Sequence, residues 1–138
     1  MTTPTPSGRI TLHVCTTCRR GDEPLGDKKD RSGYKLFEAV QEQLGQRQDV
    51  DAIDLIGVEC LSGCSRGCTI AVSGDDKWTF VIGDLDPEKH AEDIVTYARQ
   101  HGAHEEGLPT WRERPEAIRK GVLARVPAIT LPTREAAE

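Results

Sequence analysis

Cys60-Leu61-Ser62-Gly63-Cys64-Ser65-Arg66-Gly67-Cys68 sets three cysteines at four-residue intervals in a run that cannot hold a good helix. Ser62, Gly63, Ser65 and Gly67 all weaken helix formation, so the run reads as a loop. An apolar stretch, residues 52–59 (AIDLIGVE), leads into it and reads as a buried strand. Behind it, Thr69-Ile70-Ala71-Val72 and Trp78-Thr79-Phe80-Val81-Ile82 flank the turn Ser73-Gly74-Asp75-Asp76. These segments predict a hairpin over 69–73 and 77–82.

The other elements follow outward from this loop. Residues 9–14 (RITLHV) read as a strand, followed at once by Cys15-Thr16-Thr17-Cys18 and a charged loop rich in turn residues (Gly21, Pro24, Gly26, Gly33). Residues 33–45 predict a helix with Leu36, Phe37, Val40 and Leu44 on one face and Gly45 at its end. A second helix is expected to start with Asp86 as N-cap, Pro87 in the first helical position and Glu88 in the first turn. Ala91, Ile94, Val95 and Ala98 form its core stripe and Gly102 closes it.

The expected order is β-α-β-β-β-α, an α/β sandwich spanning 9–102. Residues 1–8 are expected to form a disordered tail. Residues 103–138, with Pro109, Pro115, Pro127 and Pro132 and a short helical candidate at 115–124, are expected to pack on the domain as an extension with a frayed end.

The chain has 138 residues, which suits one domain plus tails, and at this size a core can form without a metal to hold it together. No apolar run approaches the roughly 18 residues a membrane span requires. The N-terminus, MTTPTPSGR, lacks the apolar segment of a secretion signal. A cytoplasmic protein without a membrane partner is therefore expected, and in a reducing compartment cysteines serve as ligands or catalysts more often than as disulfides. The net charge of −5 argues against nucleic acid as a partner.

The five cysteines form two clusters, C-x2-C at Cys15 and Cys18 and C-x3-C-x3-C at Cys60, Cys64 and Cys68, with 41 residues between Cys18 and Cys60. Each follows a predicted strand, and adjacent strands would bring the two loops to one edge of the sheet. Thiolates from two such loops can enclose an iron–sulfur cluster or a Zn²⁺ ion. Glycine and serine between the ligands let backbone N–H groups approach the sulfurs, and Leu61 can shield the site from water. Glycine-rich loops of this kind are expected to be exposed, a poor place to bury spare thiols.

Haem attachment is excluded because Arg19, not histidine, follows Cys18. The spacings of the bacterial two-cluster and plant-type ferredoxins are also absent. Only one cluster has the C-x2-C knuckle that a zinc ribbon uses twice. A thiol–disulfide oxidoreductase would place C-x-x-C at a helix start, and the sequence after Cys18, RRGDEPLG, starts a helix poorly.

The pattern of strand, cysteine loop, helix, strand, Cys60-Leu61-Ser62-Gly63-Cys64, hairpin and helix resembles the thioredoxin-like [2Fe-2S] ferredoxins over residues 9–101. The same domain occurs in a subunit of bacterial respiratory NADH dehydrogenase. It also resembles a branch of bacterial metal-binding proteins with V-C-x-x-C and C-L-S-G-C-x-x-x-C motifs, often encoded near cobalamin biosynthesis genes.

The resemblance implies a thioredoxin-like ferredoxin sandwich with a C-terminal extension and a [2Fe-2S] cluster held by Cys15, Cys18, Cys60 and Cys64. It implies electron transport rather than enzymatic catalysis, a redox partner protein and a possible homodimer. This chain departs from the ferredoxins in the short gap between Cys15 and Cys18 and in the presence of Cys68, which becomes a neighbouring thiol or an alternative ligand. Two other functions remain open: a metal-handling protein that binds zinc or cobalt through the same thiolates, and a C-x-x-C thiol–disulfide oxidoreductase.

Arg19, Arg20 and Arg66 flank the cysteines and could raise a cluster's potential or guide a partner; an ordinary solvated surface is the alternative. Residues 111–125 carry five basic residues against two acidic ones and are expected to anchor to the domain's own acidic surface, with docking of an acidic partner as the alternative. Trp78 and Trp111 are expected to pack, and His13 to serve the structure. No Ser/His/Asp arrangement, phosphate-binding glycine loop or carboxylate pair is present.

Overall fold

A computed structural model describes residues 9–128 except 22, 25, 48, 49 and 63, with the Cys64 side chain also outside the described set. The expected N-terminal tail over 1–8 and the frayed end over 129–138 lie outside the described residues.

Five strands, β1 (Ile10–Cys15), β2 (Ile53–Val58), β3 (Ile70–Gly74), β4 (Thr79–Ile82) and β5 (Val122–Val126), form one sheet in the order β2-β1-β3-β4-β5. Three α-helices, α1 (Ser32–Gln46), α2 (Ala91–Ala103) and α3 (Glu116–Gly121), and two short 3-10 turns, Lys28–Asp30 and Cys64–Arg66, are the helical elements among the described residues. Strand β1 alternates because one face meets the helices: Ile10, Leu12 and Val14 are buried while Thr11 and His13 are half-buried. Helix α1 crosses over between β1 and β2, which therefore run parallel, Ile10 opposite Ile53 and Cys15 opposite Val58. The remaining pairs are antiparallel.

Helices α1 and α2 pack on each other and on β1, giving two layers around a core of Leu12, Val14, Leu36, Val40, Val72, Phe80, Ile94 and Val95. The expected α/β sandwich with the order β-α-β-β-β-α is present over β1 to α2.

Three expectations change. The apolar run 52–59 predicts a buried strand, but β2 is the edge strand, with Ile56 44% exposed and no strand beyond it among the described residues. An edge strand can be as apolar as an inner one, so local composition does not separate them. The capping signals predict a second helix from Asp86, but α2 starts at Ala91. Asp86 instead caps a separate turn: its Oδ1 accepts from Glu88 N at 2.8 Å, and its own N–H donates to His90 Nδ1 at 2.9 Å.

The third change concerns the extension. It becomes α3 followed by β5, which pairs with β4, Phe80 facing Arg125 and Val81 facing Ala124. The helical candidate at 115–124 is thus half helix and half strand. Ile118 is fully buried beneath it. The basic residues here settle on aromatic faces rather than on an acidic surface: Arg114 on Phe80, Arg119 on Trp111 and Arg125 on Trp78, with cation-to-centroid distances of 5.2, 4.6 and 4.9 Å. Trp78 is half-buried, whereas Trp111 remains 65% exposed.

Candidate metal centre

Parallel pairing of β1 and β2 puts both strand ends, and so both cysteine loops, at one end of the sheet. Cys15 is the last residue of β1, opposite Val58, and Glu59 and Cys60 follow directly. Thr16 ties the loops together, its N–H and its Oγ1 both donating to the Val58 carbonyl at 2.8 and 3.1 Å. Thr17 Oγ1 donates to the Glu59 carbonyl.

The sulfurs occupy different depths. Cys15, Cys18 and Cys68 are 1%, 3% and 0% exposed, so the loops expected to be exposed bury three thiols; Cys60 lies at the surface. Burial comes from neighbouring elements closing over the loops. Helix α1 begins against the first loop: Gly33 N donates to the Cys18 carbonyl at 2.9 Å, and a Cβ on Gly33 would collide with the Cys15 carbonyl oxygen. Gly67 lets the second loop approach the first, since a Cβ there would lie 2.6 Å from the Arg19 carbonyl oxygen. Cys68 is bracketed by two backbone hydrogen bonds with Leu85, both 3.2 Å.

Each described sulfur except Cys68 has hydrogen-bonding neighbours. Cys15 and Cys18 share a side-chain hydrogen bond, which holds the Cys15 pKa well below the usual thiol range and raises that of Cys18. Backbone N–H groups of Thr17 and Leu61 add to the stabilisation of a Cys15 thiolate. Cys15 Sγ is 3.8 Å from the Glu59 carbonyl oxygen, and Cys18 Sγ is 3.4 Å from Thr69 Oγ1. Ser62 has φ +60°, a left-handed conformation uncommon outside glycine. From that position its N–H donates to Cys60 Sγ at 3.2 Å. Burial pushes the Cys68 thiol up to about 12.

Among the described residues no three His, Cys, Asp or Glu side chains converge on one metal position. The donor set nevertheless suits a thiolate-bound metal group. Cys15, Cys18 and Cys60 sit on two adjoining loops with backbone N–H groups on the sulfurs of Cys15 and Cys60. The predicted ligand Cys64 opens a short 3-10 turn, but its side chain lies outside the described residues.

The flanking arginines are engaged. Arg20 pairs with Asp86 at 2.9 Å, Arg66 Nε donates to Asp84 at 2.7 Å, and Arg19 donates to the Glu23 carbonyl at 3.3 Å. His13 lies mid-strand in β1, half-buried between Ile56 and Ala71.

Sequence reasoning missed two residues here. Glu23 accepts from Arg20 N at 3.0 Å and from Ser32 N at 2.9 Å, closing the charged loop onto the start of α1. Burial alone would raise its pKa, but these bonds outweigh burial and hold it below the usual value. Thr69 is fully buried beside Cys18. The one available signal was its position next to Cys68, a hydroxyl at a cysteine loop.

Fold and site together define a two-layer α/β protein with paired cysteine loops at the open end of a parallel strand pair. That fold is the one seen in a thioredoxin-like [2Fe-2S] ferredoxin from Aquifex aeolicus. One structure of that protein is 18% identical over 90% of this chain and 100% of its own, with a TM-score of 0.59. Its wild-type crystal structure gives 20% identity over 86% and 99% of the two chains, with a TM-score of 0.54. No curated protein sequence matches the chain. Residues 12–128 match the model of the family described as Protein of unknown function (DUF1636), and the chain belongs to that family.

Proposed function

We propose that this protein holds a [2Fe-2S] cluster through Cys15, Cys18, Cys60 and Cys64 and carries single electrons to a redox partner protein. The observation that carries the reading is the meeting of the two cysteine loops. The Cys15 sulfur lies 3.8 Å from the Glu59 carbonyl, one residue from Cys60, and takes the Leu61 N–H across the gap. When bound, the cluster would supply a one-electron couple.

The chain's own residues do the remainder. Gly33 and Gly67 let α1 and the second loop close on the buried thiols, and the Thr17, Leu61 and Ser62 N–H groups stabilise sulfur charge. Exposed Cys60 marks the face over which a partner docks. An enzyme acting on cobalt or a corrin intermediate is the partner suggested by the resemblance to the cobalamin-associated branch. A second copy of the chain is the other expected partner, and the solution mass tests it.

Dithiol exchange fits less well. The lowered Cys15 pKa suits a nucleophile, but at 1% exposure that sulfur cannot reach a substrate disulfide. Zinc or cobalt handling uses the same thiolates, and colour separates it from electron transfer. Anaerobically purified protein is expected to be red-brown, with iron and acid-labile sulfide in equal number per chain. Cys60→Ser should lose the chromophore, and Cys68→Ser should keep it. Equal loss in all five cysteine variants would sink the four-ligand assignment. Colourless protein that resists reconstitution with iron and sulfide would sink electron transfer.

A further inference from the structure

We propose that Thr69 is a positioning residue for the metal centre, its hydroxyl donating a hydrogen bond to the Cys18 sulfur once that sulfur is a metal thiolate. The inference rests on the metal-binding reading above and concerns how this chain tunes it.

Thr69 is one of few buried polar residues, 0% exposed between Cys68 and β3. Its Oγ1 lies 3.4 Å from Cys18 Sγ. A fully buried hydroxyl needs a partner, and an unpaired one costs stability. A metal thiolate has no S–H left to donate, so the contact then has a single polarity, with Thr69 as donor and sulfur as acceptor. The backbone of the same residue acts on both ligands of the C-x-x-C loop. Its carbonyl accepts from Cys15 N at 3.1 Å, and its N–H reaches the Cys18 sulfur. Thr69 therefore holds its hydroxyl against the Cys18 sulfur from a position that leads directly into β3, where it cannot move without disturbing the sheet.

Donors to a ligand sulfur favour the more electron-rich state of the bound metal, so they raise its reduction potential. The dry surroundings of Cys18 strengthen the effect. Valine matches threonine in shape but lacks the hydroxyl, whereas serine keeps the hydroxyl and loses only a methyl group.

The test compares wild type, Thr69→Val and Thr69→Ser as full chains reconstituted with iron and sulfide. Midpoint potential and the sulfur-to-metal charge-transfer bands are recorded, with far-UV circular dichroism to check folding. The expected result is a more negative potential and shifted bands in Thr69→Val, with Thr69→Ser returning towards wild type. Thr69→Ala replaces the valine variant if that variant does not fold. Equal potentials in all proteins, or a serine variant that behaves like valine, would overturn the inference.

If wild type takes up no cluster but binds Co²⁺, the cluster reading fails while this inference is still decided. The thiolate-to-cobalt band should then move in Thr69→Val and return in Thr69→Ser, and an unmoved band would refute it. A wild type that binds neither would end both readings.

Discussion

At the residue scale, placement within the fold separates side chains that look alike in the sequence. Cys60 and Cys68 open and close the same C-x3-C-x3-C run, yet one is exposed and accepts a backbone N–H while the other is buried with a raised pKa. The four histidines diverge in the same way, and His101 carries the clearest consequence. It is fully buried between Phe80 and Tyr97, and its Nε2 lies 2.6 Å from the Trp78 carbonyl. Burial, only partly offset by that bond, lowers its pKa to about 4, so the ring stays neutral and donates through Nε2.

Because the folded pKa lies below the unfolded value of 6.5, stability is full above pH 6.5. It is lost as pH falls from there towards about 4, where the unfolded chain takes up a proton that the folded ring refuses. Between pH 7 and pH 5 this amounts to about 2 kcal/mol. Urea denaturation at the two pH values should show wild type losing about that much more than His101→Gln, which keeps a donor for the Trp78 carbonyl. Equal losses would mean that His101 is not the titrating group.

At the scale of elements, α3 and β5 decide how the far edge of the sheet is built. Strand β5 covers β4, and Ile118 on α3 fills a fully buried site behind it. Removing most of that side chain leaves a cavity, so Ile118→Ala should cost about 2–5 kcal/mol in chemical denaturation. The Lys120–Glu116 ion pair on the same helix is largely exposed, and Lys120→Ala should change stability by under about 0.5 kcal/mol. Comparable effects of the two substitutions would show that α3 rests on the surface rather than completing the core. The candidate at 115–124 was visible as a periodic apolar segment. Its division into helix and strand depends on β4 offering an open edge, and local periodicity does not register that.

For the whole molecule, the core bears on whether the fold would depend on the proposed metal. Leu12, Val14, Leu36, Val40, Ile70, Val72, Phe80, Ile82 and Ile94 are all about fully buried, and the site sits at one end of this core. Metal-free protein should therefore unfold cooperatively, with native far-UV circular dichroism and a lower midpoint than loaded protein, because binding stabilises only the folded state. A chelated protein without a cooperative transition would show that the thiolate site holds the fold together.

The sequence by itself determined the order from β1 to α2 and the location of both cysteine clusters after strands. These rest on near-neighbour properties: the alternation of Ile10, Leu12 and Val14, the helical spacing of Ala91, Ile94, Val95 and Ala98, and the small residues between Cys60 and Cys68. Only the tertiary structure decided that β2 lies at an edge and β5 at the other. It alone decided that Cys15, Cys18 and Cys68 are buried while Cys60 is not, and that Thr69 meets Cys18. The physical reason is that such features arise from contacts between residues 40 or more positions apart, such as Thr16 with Val58 and Cys18 with Thr69. The energy of these contacts depends on which surfaces remain open once the sheet has formed.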